Sequence, residues 1–168
     1  MASLNEVLDT TKSKIKIYME LKGKTADPQM ADDIIKELKE RDMLGEVVLV
    51  SLKQNLIEYI HQHHPDVQIG FIYFISFGLP GSLTGDYLIL EEDMMTDDNL
   101  EDIYFRRKKP IVWTVNTHSS MVKSITKGVD GIITDDPELL RKVLEIEINK
   151  TSQNRLLEKL QLVDAEYD

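Results

Sequence analysis

The chain predicts an α/β domain built on a parallel sheet, and three observations carry that prediction. Short apolar runs alternate with amphipathic helical patterns along most of the 168 residues. Some of those runs, such as VVLVSL at Val47 to Leu52, are nearly continuously apolar, as strands covered on both faces are. The stretch Pro110 to Pro137, PIVWTVNTHSSMVKSITKGVDGIITDDP, holds a whole βαβ unit. Its first strand is the β-branched and aromatic run of Ile111, Val112, Trp113 and Val115, too short for a buried helix. Met121, Val122 and Ile125 then share one helical face, and Gly128 supplies the stop. Val129 to Thr134 is the second strand, and Asp136-Pro137 caps and opens the next helix. Two such strands run parallel through a right-handed crossover.

The remaining elements follow the same logic from the N-terminus. Ser3 and Glu6 form a capping-box pattern, with Leu4, Val7 and Leu8 as the apolar stripe behind it. Ile15 to Leu21 alternates as a strand, placing Ile15, Ile17, Met19 and Leu21 on one face and Lys16, Tyr18, Glu20 and Lys22 on the other. Asp27-Pro28 opens a helix with Met30, Ile34, Ile35 and Leu38 inside, and Gly45 is expected to close it. Val47 to Leu52 is the next strand, Leu56, Ile57 and Ile60 mark a helix, and Val67 to Phe74 is a strand. The segment Ser76 to Gly85 has the glycines and proline of a loop, and the strand Tyr87 to Leu90 follows at once. A helix over 97 to 107, the βαβ unit, and a helix from Pro137 with Leu139, Leu140, Val143 and Leu144 inside complete the series. Six strands in this order suit an open doubly wound sheet or part of an eight-fold barrel. No strand is followed by a Gly-rich phosphate fingerprint, which lowers the nucleotide-binding option. The tail, 149 to 168, reads as a helical appendage to a barrel-like domain over 1 to 148, with Leu156, Leu157 and Leu160 on its apolar side.

Thirty acidic residues against twenty basic ones give a formal charge of −10, which repels a nucleic-acid backbone. The dense basic run Arg106 to Lys109 ends a helical pattern, where cations answer the helix dipole. Zero cysteines exclude disulfide and thiol chemistry, and no apolar run reaches membrane-spanning length. A signal core is also absent from MASLNEVLDTTKSK.

Functional side chains in such domains gather at the carboxyl ends of the strands. Glu20, Lys22, Ser51, Glu91 or Glu92, Trp113, Asn116 and Asp135 occupy those positions. Glu20 and Lys22 lie two apart, so both project to one side, as an exposed ion pair or as part of a site. One Glu supplies only part of the oxygen shell that Mg²⁺ or Ca²⁺ requires, and Lys22 suits a phosphate oxygen as a point charge. Trp113 is the wall of a small-molecule pocket or a packed core residue. His61, His63 and His64 fall at the polar end of a helix before Pro65, which favours a solvated terminus over a metal site. His118, at the start of a loop on the same side, carries little weight as an acid or base.

The run Tyr18-Met-Glu-Leu-Lys22, the VSLKQ of 50 to 54, Glu91 before a helix, the VWTVN of 112 to 116 and the GVDGIITDDP of 128 to 137 together resemble the glycerophosphodiester phosphodiesterase family, in order and spacing, over about 140 residues. The resemblance implies an incomplete TIM-type (β/α)₈ barrel of about six parallel strands, covering strands 3 to 8, with a C-terminal helical tail. It implies metal-dependent hydrolysis of a glycerophosphodiester to an alcohol and glycerol 3-phosphate in the complete domain, with Mg²⁺ or Ca²⁺ as cofactor. Glu20 then matches a carboxylate metal ligand, Lys22 the active-site lysine, Trp113 the substrate-binding tryptophan near the glycerol moiety, and Glu91 a strand-end acid counted with Lys22 as catalytic. The family's His-Arg-Gly of strand 1, its Glu-x-Asp of strand 2 and the His-Asp that follows have no counterpart ahead of the Tyr18 to Lys22 run, and no His-Arg or His-Asp dipeptide occurs in this sequence. The implied reading is a segment whose activity belongs to the complete domain, against the alternative of a non-catalytic scaffold serving in binding or assembly. Two of eight strands being absent, the strands near 17 and 131 are expected to stand as open edges, inviting self-association. A membrane-linked parent chain is left open.

Overall fold

A computed structural model describes residues 2–73 and 80–150. Six strands form one sheet: β1 (Ile17–Glu20), β2 (Val47–Ser51), β3 (Gln68–Tyr73), β4 (Tyr87–Glu91), β5 (Lys109–Trp113) and β6 (Gly131–Ile132). The helices are α1 (Leu4–Thr11), α2 (Pro28–Glu40), α3 (Gln54–His63), α4 (Asp97–Phe105) and α5 (His118–Thr126), with α6 over 137–150.

The strands lie in the order β1-β2-β3-β4-β5-β6, and every neighbouring pair is parallel. That order decides between the two architectures. A doubly wound sheet reverses its strand order at a switch point, whereas a barrel adds each strand beside the last. The fold is therefore an open part of a (β/α)₈ barrel, as expected, and among the described residues β1 and β6 each pair with a single neighbour.

Alternation along the strands separates two faces. Leu49, Ile69, Leu88 and Leu90 turn outward and are fully buried against Leu8, Ile35, Leu38, Ile57 and Ile60 of the helices. A smaller outer cluster joins Val112 to Leu100, Met121 and Val143. Val48, Val50, Tyr87, Ile89 and Ile111 turn inward with Ile72 and Trp113 at their margin. Gly70 lets the inner face close locally, since a Cβ there would lie 2.8 Å from Val50 Cγ1 and 3.3 Å from Tyr87 Cβ. Burying one such Leu or Ile side chain is worth about 1.5–3 kcal/mol, so the outer face supplies most of the cohesion.

The helix starts are where the sequence places them. Ser3 and Glu6 make both bonds of the capping box, Asp27 caps α2 through the Met30 N–H with Pro28 at its first turn, and Asp136 accepts from the Leu139 N–H at 2.9 Å. The stop of α2 differs: Asp42, not Gly45, takes the left-handed position at φ 56°. Its N–H donates to the Lys39 carbonyl and the Met43 N–H to the Leu38 carbonyl, a Schellman closure sealed by the buried Met43 and Leu38 side chains. Gly128 does close α5, at φ 75°. Leu144, expected inside α6, is 37% exposed, leaving Val143 as the buried residue of that stretch. The last strand spans only Gly131–Ile132, shorter than Val129 to Thr134, because a strand with one partner is registered only where Ile111 and Val112 lie beside it. Helix α6 runs through 149 and 150, and the rest of the expected tail, like Phe74 and much of the 76 to 85 loop, lies outside the described residues. Among the described residues no helix is long and apolar enough to cross a membrane.

Candidate functional site

The inner face opens at the carboxyl ends of the strands into a cleft of about 240 Å³. Glu20 and Tyr18 from β1, Val50 and Leu52 from β2, Ile72, Ile89 and Trp113 form its walls, with Ile133 beyond β6. Because Glu20 follows Tyr18 by two residues, both project inward, and the strand's partner register sets Glu20 beside Val50. Lys22 lies just past the strand in a turn eased by Gly23 at φ 80°. Its Nζ is 3.4 Å from Glu20 Oε2, with side chains 75% and 33% exposed. At that exposure the attraction is worth under about 1 kcal/mol, so the pair adds little stability and stays available to a ligand.

Trp113 ends β5 and is in register with Glu91 at the end of β4. A cis peptide joins Trp113 to Thr114. The indole Nε1 is buried and has no hydrogen-bond partner among the described residues. An unmatched buried donor costs about 1–3 kcal/mol. Glu91 points inward beside Trp113 but is not part of the cleft wall, where Glu20 is the one carboxylate among the described residues.

The inner face is polar at the opposite end. Lys16 donates to the Tyr87 hydroxyl at 3.0 Å and to Gln68, and Lys16 and Lys109 each lie 5.3 Å from the Tyr87 ring centre. Tyr18 meets Tyr87 edge to face at 5.4 Å. Burial, then the neighbouring Tyr87 and Asp130, push the Tyr18 hydroxyl up to about 12, so it remains a neutral hydrogen-bonding group. Tyr18 is a cleft residue that strand-end reasoning missed. Its position two residues before Glu20 was the available clue.

Other strand-end candidates serve the scaffold. Ser51 Oγ donates to the Leu21 carbonyl at 2.7 Å and accepts the Lys53 N–H, tying β1 to β2. Asn116 bridges the loops after β5 and β6 through Asp135 Oδ2, Thr134 Oγ1 and the Asp135 N–H. Glu92 pairs loosely with Lys123 at 4.0 Å. His63 stacks on Tyr59 within α3, and His64 Nε2, 2.8 Å from Asp32 Oδ1, ties the end of α3 to α2 at the far end of the barrel. His118 is an exposed first residue of α5.

The family described as Dermonecrotic toxin SPH matches residues 6–159. The chain belongs to that family. Its curated and structural neighbours are glycerophosphodiester phosphodiesterases, in agreement with the motif resemblance. One relative, the glycerophosphodiester phosphodiesterase of Caldanaerobacter subterraneus subsp. tengcongensis, is 28% identical over 125 residues, 67% of this chain and 48% of the relative. A phosphodiesterase of Oleispira antarctica, solved with the product sn-glycerol-3-phosphate, superposes with a TM-score of 0.73 at 16% identity over 84% of this chain and 60% of that one. The glycerophosphodiester phosphodiesterase of Thermotoga maritima gives a TM-score of 0.67 at 19% identity over 84% and 63%. The chain thus spans about half the length of the curated relative and under two thirds of these structures.

Hard divalent cations take six or more oxygen ligands. Among the described residues no group of three His, Cys, Asp or Glu side chains is placed to hold one. Glu20 alone does not make a metal centre, and the described donor set does not fit one without ligands from elsewhere.

Proposed function

We propose that this chain is the greater part of a glycerophosphodiester phosphodiesterase barrel and that its cleft forms one side of the active site. The observation that carries the reading is the convergence of Glu20, Lys22 and the Trp113 ring at the carboxyl end of an open parallel barrel. In the reaction, water cleaves a P–O bond of the diester, releasing an alcohol and glycerol 3-phosphate. Lys22 provides a mobile cation for a phosphoryl oxygen. Trp113 offers an apolar wall to the glycerol side. Glu20 supplies one carboxylate toward a Mg²⁺ or Ca²⁺ site whose other ligands come from outside the described residues, and Glu91 supports the rim beside Trp113. Two further βα units, covalently joined or from another chain, close the β1 and β6 edges. In their absence the edges favour self-association.

A chimera that adds two N-terminal βα units of a related phosphodiesterase tests this. Hydrolysis of glycerophosphocholine with Mg²⁺ or Ca²⁺ should appear in the folded chimera and fall at least about 100-fold in Glu20→Ala. Equal turnover after that substitution removes Glu20 from the site. A folded chimera with no turnover at all favours the second reading, a non-catalytic scaffold.

A further inference from the structure

The basic run Arg106 to Lys109 is not absorbed by the cleft, because it lies at the opposite, N-terminal end of the strands. There the turn from α4 to β5 faces the loop Ser82–Asp86 across a recess of about 320 Å³. We propose that this recess is an anion-binding site that takes a small phosphate-type dianion on Arg106, Arg107 and Lys108.

Charge is the first argument. Among the described residues, two guanidinium groups, the Lys108 ammonium, the His61 imidazole and one carboxylate, Asp86, line the recess of a protein whose formal charge is −10. The Asp86 carboxylate is already engaged, accepting the Ile69 N–H at 2.9 Å. The adjoining Asp102 accepts the Gly81 N–H at 2.7 Å and Arg106 Nε at 3.2 Å. A helix end adds about −0.5 charge, and α4 ends here. Its last carbonyls are nevertheless occupied: the Tyr104 carbonyl accepts the Arg107 N–H at 2.8 Å and the Ile103 carbonyl the Lys108 N–H at 3.1 Å. Three cations thus stand against two carboxylates and the helix end, a small positive excess at the recess.

Unused donors are the second argument. Arg106 spends only Nε on Asp102, which leaves its terminal nitrogens open among the described residues. Lys108 Nζ donates to the Leu83 carbonyl and keeps two further protons. Burial lowers the Lys108 ammonium below its ordinary value, so an arriving anion would offset a charge the fold has only partly compensated. A capping role explains Arg106 and Lys108 one at a time, but it does not explain Arg107. That residue occupies the left-handed cap position at φ 58°, where glycine is the unstrained choice, and it lines the recess with no side-chain ion pair or hydrogen bond among the described residues. Guanidinium forks match tetrahedral oxyanions in a way a lone ammonium does not.

The test is a titration of the ¹⁵N-labelled chain with inorganic phosphate at constant ionic strength, following the amides of 83 to 86 and 106 to 108. Saturable shifts confined to those amides, with a dissociation constant near or below about 1 mM, are expected. Arg107→Gly removes the guanidinium while relieving the backbone, so the variant folds at least as well. It should weaken phosphate binding at least about 10-fold, a loss of one 1.4 kcal/mol step. Shifts that chloride reproduces at equal ionic strength, or unchanged affinity in Arg107→Gly, would overturn the assignment.

Discussion

The two faces of this one sheet contrast in what completes them. The outer face is finished by the chain's own helices: Leu49, Leu88, Leu90 and Val112 are at 0% exposure beneath α1 to α5 and α6. On the inner face the apolar centre is buried, yet the margin is open, with Tyr18 42%, Leu52 51% and Ile133 40% exposed and the Trp113 N–H unmatched. Stability is thus concentrated on one side of the sheet and unfilled binding capacity on the other. In closed barrels the inner side chains fill the lumen in layers. Here the open margin coincides with the residues proposed to meet the substrate.

The largest expected effect breaks the outer face. Leu88→Ala should cost about 2–5 kcal/mol of unfolding free energy in urea, because it leaves a cavity between β4 and its helices. Leu52→Ala, at the inner margin, should stay within about 0.5 kcal/mol. Equal losses would mean that the faces do not differ as described. In a completed barrel the Leu52→Ala cost should rise toward that of Leu88→Ala as the margin becomes covered.

A smaller effect isolates the unmatched donor. Trp113→Phe removes a buried N–H whose missing bond costs about 1–3 kcal/mol, and also removes part of the ring's packing. In this chain the two changes oppose each other, and urea unfolding should show a net shift of less than about 1 kcal/mol. In a completed and active barrel the same substitution should reduce glycerophosphodiester kcat/KM. A destabilisation of several kcal/mol in the present chain would show that the indole is a core residue first.

The contrast between faces also explains which parts were legible from sequence. Period-two alternation in Ile17 to Glu20 and the continuous apolar run of Val47 to Ser51 state their burial directly, and Asp27-Pro28 and Ser3 with Glu6 state their caps. Strand order was not in any single segment, because both a barrel and a doubly wound sheet use the same βαβ units. Closure of α2 was misread at Gly45 because the left-handed cap was given to Asp42, a residue that tolerates it through a short polar side chain. Leu144 was misread because the apolar stripe of α6 is wider than the surface its neighbours cover. At the site, position at a strand end picked out Glu20, Lys22 and Trp113, but it equally picked out Ser51, Asn116 and Asp135, whose hydrogen bonds hold loops together. Only distances separate the two groups.

The smallest expected effect lies on the outer face, at the seam between α2 and α3. Asp32 accepts from Tyr59 at 3.0 Å and meets His64 Nε2 at 2.8 Å. The His64 bond above all holds the Asp32 carboxyl below its ordinary value; burial opposes it, and the Tyr59 bond and the nearby imidazoles add to the lowering. A depressed carboxyl means that the folded state binds fewer protons than the unfolded one, so stability rises with pH in this range. Its contribution is fully present above the unfolded value near about 3.9 and is lost as pH falls through the lower folded value. Asp32→Asn should therefore cost less than about 1 kcal/mol at neutral pH, since the pair is substantially solvated. Its stability should also fall less steeply than the wild type's as pH is lowered from 5 to 3. Superimposable acid slopes in urea unfolding would show that water, not the fold, already satisfies this carboxylate.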